Sequence, residues 1–182
     1  METEITNKGI PRLHKWLVLI LGFMLLFSVL AIGRLVGIPG WGDISYLRLV
    51  ILALLIAVVT VPVHEAIHGL LFKIFGGKVK FGHSWRGGGI LGPSFWTSSL
   101  GTLFTRNQMI LIGLGPQILS LLVLGLLAVT NSPPLVGNAL LNLAALNSAG
   151  GCMDIYIALR LSKYPSTCKV EDTKTGVKIY GN

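Results

Sequence analysis

The stretch VPVHEAIHGLLF, residues 61–72, holds two histidines and a glutamate inside one of the most apolar parts of the chain. It continues an apolar run that begins near Leu49 and ends at Phe72. The run is long enough to cross a bilayer, for which about 20 residues suffice. A charged side chain at the centre of such a helix costs about 2.5–3.5 kcal/mol on insertion scales. His64, Glu65 and His68 therefore need a reason to be there. Two buried histidines satisfied by backbone and a carboxylate facing a cavity would be reason enough in a water-soluble core, but lipid makes that arrangement costly.

Composition supports a lipid solvent. Of the 182 residues, 52% are hydrophobic and only 12% charged, against roughly 25% charged in ordinary globular chains. Mean hydropathy is +0.73. Three further apolar runs are long enough to span: Trp16 to Gly33, Gln108 to Thr130, and Leu135 to Leu159. The expected fold class is an all-α integral membrane protein with about four transmembrane helices, near 16–37, 46–75, 108–130 and 135–161. Residues 162–182 form a polar tail, lying on the membrane surface or partly mobile. The whole chain reads as one membrane-embedded domain, with no internal repeat. The first run follows Lys8, Arg12 and Lys15, as in a signal peptide, but exceeds the usual apolar length of about 7–15 residues and reads as a retained helix.

The net charge of +8 is a topology signal. Under four spans, all but Arg34 and Arg48 of the fifteen Lys and Arg residues fall on one side. The positive-inside rule makes that side cytoplasmic, with both termini and the loop over 76–107. No aromatic-basic stripe, zinc knuckle or phosphate loop accompanies the charge, so nucleic acid is not an expected partner. The expected location is the plasma membrane, and the compact form suggests a bacterium or archaeon. The two cysteines, Cys152 and Cys168, imply no disulfide framework, and a cytoplasmic tail would keep Cys168 reduced.

The loop over 76–107 is glycine-rich, and its KVKFGH segment (residues 78–83) alternates weakly enough to form a short strand or hairpin. Asn131 to Pro134 is a tight turn that makes the last two helices an antiparallel pair. Pro62 should kink the second helix, and Gly113, Gly115 and Pro116 the third. Kinks around a polar site suit a cavity that admits water.

HEAIH, residues 64–68, fits His-Glu-x-x-His. On a helix, positions four apart share a face, so His64 and His68 can bind one metal ion while Glu65 stands beside them as general base. Two imidazoles and a carboxylate suit zinc, although cobalt or manganese could fill such a site in vitro. The third ligand follows by elimination. Of the seven acidic residues, only Glu65 and Asp154 fall within the apolar runs. His68 lies five residues before Lys73, and Asp154 six before Arg160, so both sit roughly 8–9 Å inside the same boundary. Cys152 and His83 remain rivals for that place. Asn147, two turns before Asp154, either contacts a substrate carbonyl, steadies the metal site, or glues two helices together. Gly150 and Gly151 allow a close backbone approach.

With HEAIHG, RNQMILIGLGPQI (106–118) and NSAGGCMDIYIALRL (147–161) in view, the chain resembles a family of small zincin peptidases of the membrane, long known as a domain of unknown function. It is more distantly similar to the site-2 protease clan. The resemblance covers about residues 50 to 180. It implies His64, His68 and Asp154 as zinc ligands, Glu65 as catalytic base, and a membrane-spanning helix or membrane-embedded peptide, cut near its cytoplasmic end, as substrate. Many relatives have Gly directly before the aspartate, where this chain has Met153. VEDTKTGVKIYG (170–181) also resembles the family's ending at Asp172 and Gly176, without suggesting a mechanism. The function expected is intramembrane zinc endopeptidase. A metal-binding membrane protein without hydrolysis, such as a small transporter or sensor, would use the same ligands but not Glu65. A structural protein on a degenerate protease scaffold would not keep Glu65 at its burial cost.

Overall fold

The computed structural model describes residues 2–6, 12–38, 46–84, 94–173 and 176–181. In chain order they form β1 (Glu2–Thr6), α1 (Arg12–Leu35), α2 (Tyr46–Ile74), β2 (Lys80–Ser84), β3 (Ser94–Ser98), β4 (Leu103–Thr105), α3 (Arg106–Val129), α4 (Pro134–Gly150), α5 (Cys152–Leu161), β5 (Lys169–Thr173) and β6 (Gly176–Tyr180).

The protein is mostly helical, and three of its helices are long and apolar enough to cross a membrane: His14–Leu35, Ile51–Ile74 and Arg106–Val129. Their outward faces carry large exposed apolar side chains, among them Phe23, Phe27, Leu54, Val58 and Leu121. Such a surface suits lipid, where each helix satisfies its own backbone hydrogen bonds. α3 starts on a capping box. Thr105 accepts the Gln108 N–H, and the Gln108 side chain accepts the Thr105 N–H at 2.9 Å.

Two expectations are corrected. The segment 135–161 is two helices, broken at Gly151. The backbone ladder continues across the break, from Gly151 N–H to Asn147 O (3.1 Å) and from Ile155 N–H to Gly151 O (3.0 Å). The Gln117 side chain of α3 lies against Gly151, in the space a Cβ there would take.

The second correction concerns the all-α class and the tail. A four-stranded antiparallel sheet, ordered β1-β6-β5-β4, takes up both chain ends. The tail forms β5 and β6, with Val170 opposite Ile179 and Asp172 opposite Val177. Side chains two apart share a sheet face. Val170, Val177 and Ile179 are buried with Phe72, Phe104, Met109, Ile112 and Leu161 in one apolar cluster. The tail thus buries an apolar face over the helix ends, where a loose surface segment had been expected. β2 and β3 pair separately, Lys80 opposite Ser98 through Ser84 opposite Ser94. The triple glycine at 87–89 lies outside the described residues.

Sheet pairing gathers the start of α1, the start of α3 and the end of α5 at one end of the bundle. A second apolar cluster, of Val29, Ile38, Leu127, Leu141, Ala144 and Ala145, holds the opposite end.

Candidate metal centre

His64 and His68 lie one turn apart on α2 and project the same way. Their Nε2 atoms are 3.2 Å apart. Asp154, in the first turn of α5, brings Oδ2 to 3.2 Å from His64 Nε2 and 3.5 Å from His68 Nε2. Among the described residues these three are the group that could hold a metal ion.

The outer partners fix the ring tautomers. His68 Nδ1 lies 2.9 Å from the Ile112 carbonyl, which can only accept. His64 Nδ1 lies 3.1 Å from Asn147 Oδ1. Asn147 cannot turn its amide round, because its Nδ2 donates to the Pro116 carbonyl at 2.7 Å and to Ser120 Oγ at 2.8 Å. Ser120 in turn donates to the Ala144 carbonyl at 3.0 Å. Pro116 has no N–H to give the Ile112 carbonyl one turn earlier in α3, which leaves that carbonyl free for His68. Both Nδ1 atoms are therefore donors, and each neutral ring turns an Nε2 lone pair inward. Two imidazole lone pairs and a carboxylate oxygen converge, a donor set that repels itself and binds cations.

The spacing fits zinc. Ligands about 2.0–2.1 Å from a tetrahedral ion lie roughly 3.3–3.4 Å from one another, close to the 3.2, 3.2 and 3.5 Å found here. His64 and His68 are 9% and 8% exposed and Asn147 only 1%, while the Asp154 side chain, 24% exposed, opens on a cavity.

Beside the cluster lies a cavity of about 170 Å³ lined by α2, β3, α3, α5 and the tail hairpin. Glu65, His68 and Asp154 share its wall. β3 is tied to α2 at the same point, where Thr97 Oγ1 donates to the Glu65 carbonyl at 3.0 Å.

The helices of this cluster match a known family. A family model described as a putative zincin peptidase matches residues 57–169, more than half of the chain. The chain belongs to this zincin peptidase family. The matched segment contains His64, Glu65, His68, Asn147 and Asp154. No curated protein and no solved structure matches the chain. For a zincin peptidase the gathered donors are of the expected kind.

The rival ligands are elsewhere. Cys152 faces α1, its Sγ 3.4 Å from where a Cβ on Gly22 would lie. His83 sits on β2 with its ring against Phe95. Asn147 hydrogen-bonds His64 and also bridges α4 to α3 through the Pro116 carbonyl and Ser120.

The residue that sequence reasoning left without a part is Asp172. It lines the same cavity from β5, and its Oδ2 accepts the Ser99 N–H at 3.0 Å. Burial pushes its carboxyl up from the ordinary 3.8 to about 7, against the Ser99 hydrogen bond that favours the ionised form. The missed signal was alternation: Asp172 is two residues from buried Val170, on the face that meets the helices. Its neighbour Glu171 points the other way and accepts the Gly101 N–H at 3.0 Å and the Tyr180 hydroxyl at 2.7 Å. The two carboxylates together hold the turn between β3 and β4.

Proposed function

We propose that this protein is an intramembrane zinc endopeptidase that cuts membrane-embedded peptides near the cytoplasmic face. The observation that carries the reading is the convergence of His64 Nε2, His68 Nε2 and Asp154 Oδ2 beside a cavity that Glu65 also lines.

In this reading His64, His68 and Asp154 hold zinc. A zinc ion there would supply Lewis acidity toward the scissile carbonyl and toward water. Glu65 accepts the proton of the attacking water and delivers it to the leaving amine nitrogen. Asn147 and the Ile112 carbonyl keep the two imidazoles in the tautomer that presents Nε2. The apolar walls limit bulk water to what the cavity admits.

Location follows from the pattern of charge. The helix ends that carry the sheet also carry Lys73, Arg106 and Arg160, which the positive-inside rule assigns to the cytoplasm. α4 and α5 together cover 134–161, about 40 Å at ~1.5 Å per residue, enough for a fourth span with a bend at Gly151. Both termini are then cytoplasmic. β3 forms part of the cavity wall, and an extended substrate could pair with the strand of the β2–β3 ribbon that borders it.

The test is zinc content of the detergent-purified chain, by mass spectrometry, with cleavage of membrane-embedded peptides measured beside Glu65→Gln. Near-stoichiometric zinc in both, with cleavage in the parent alone, is the expected result. Zinc with a function that persists in Glu65→Gln would point to transport or sensing, and a folded parent that takes up no zinc would end the metallopeptidase reading.

A further inference from the structure

The cavity beside the metal cluster has a carboxyl group that the hydrolytic reading does not use. Asp172 enters it from the tail hairpin, beyond the segment that the family model matches. One oxygen is held by the Ser99 N–H. Among the described residues, nothing donates a hydrogen bond to the other, and no Lys or Arg lines the cavity. The protein carries a net charge of +8, yet three of its seven carboxylates, Glu65, Asp154 and Asp172, face this one space.

Charge accounting then separates Asp172 from the other two. The two positive charges of a zinc ion are balanced by Asp154 and Glu65. When ionised, Asp172 adds a third negative charge with no Lys or Arg counterpart lining the cavity. The same wall carries apolar side chains, among them Phe72, Met109, Ile157 and Val177. A long aliphatic stem ending in a cation suits such a wall, and a carboxylate at its end gives a charge-assisted hydrogen bond.

We propose that Asp172 is a specificity-determining residue, pairing with the ammonium or guanidinium of a substrate Lys or Arg next to the scissile bond. The inference rests on the metallopeptidase reading and names its substrate class: membrane segments cut beside a basic residue. Such residues are plentiful where membrane helices meet the cytoplasm, the level at which this cavity lies in that reading. The upward push that burial gives Asp172 is what an acid shows before a cation reaches it.

The experiment compares N-acylated lysine hydroxamate with N-acylated norleucine hydroxamate, which keeps the stem and lacks the charge. Both are titrated into the zinc-loaded full chain in detergent, and affinity is read from thermal stabilisation. The lysyl compound is expected to bind about tenfold more tightly to the parent, and Asp172→Asn to erase the preference while retaining zinc. Equal binding of the two compounds to the zinc-loaded parent, or a preference that survives in Asp172→Asn, overturns the inference alone. If Asp172→Asn does not retain zinc, the ratio measured on the parent decides. A parent that holds no zinc overturns this inference together with the metallopeptidase reading.

Discussion

The two sides of the cavity are built on different principles. The helical side presents His64 and His68 from a single turn of α2, and Asp154 from the first turn of α5. Each of its imidazoles is locked by a second hydrogen bond behind it. The strand side presents Asp172 from an antiparallel hairpin, with one backbone N–H as its support. One side is a converging set of lone pairs with fixed direction, the other a lone acid on a lid of sheet. Rigid convergence is what a metal ion needs, whereas a single buried carboxylate is suited to meeting a mobile side chain.

Breaking the helical side should have the largest effects. Asp154→Ala removes one of the three gathered donors, and zinc affinity should fall beyond the roughly 100-fold that loss of an outer partner costs, as measured by metal content after dialysis. Glu65→Gln should leave that metal content near the parent's while lowering peptide cleavage by about 10²–10⁴-fold; a variant that still turns over at the parental rate would remove Glu65 from the chemistry. Asn147→Ala frees the His64 ring and leaves Ser120 and the Pro116 carbonyl without their donor. Zinc affinity should drop about 10–100-fold, and a competition titration against a chelator reads it.

The strand side sharpens the contrast with a smaller effect. Burial pushes the Asp172 carboxyl up to about 7 in the folded protein, against an ordinary 3.8. Between these values the folded state binds more protons than the unfolded one, so stability falls as pH rises through that window and levels off above it. Asp172→Asn should flatten this slope, narrowing the difference in Tm between pH 4 and pH 7 by a few °C in chelator and detergent. An unchanged slope would mean that the carboxyl is not held from water as its position in the cavity requires.

Much of the helical side was legible in the sequence. The spacing of His64 and His68 is a local property of an α-helix, and their place inside an apolar run marks them as costly. Asp154 was legible because lipid makes acids rare: elimination among seven candidates leaves few choices. The partner of His64, Asn147, was legible as a residue and ambiguous as a function. Its bonds to Pro116 and Ser120 depend on how α3 and α4 pack.

The break at Gly151 was less legible. A continuous apolar pattern over 135–161 reads as one helix, whereas the backbone at Gly151 (φ −79°, ψ 11°) opens out of the helical range and the Gln117 amide lies against it. The sheet escaped because its pairing is long-range. β4 meets β5 across roughly a third of the chain, and β1 meets β6 across nearly all of it, and a polar tail with short alternation gives no local hint of what it will cover.

By itself the sequence determined a membrane-compatible helical scaffold and the metal-compatible donors on two of its helices, because periodicity and the cost of burying charge act residue by residue. The tertiary structure alone decided that the tail closes over the cavity and brings Asp172 into it, because strands gain their hydrogen bonds and their buried face only from partners distant in the chain.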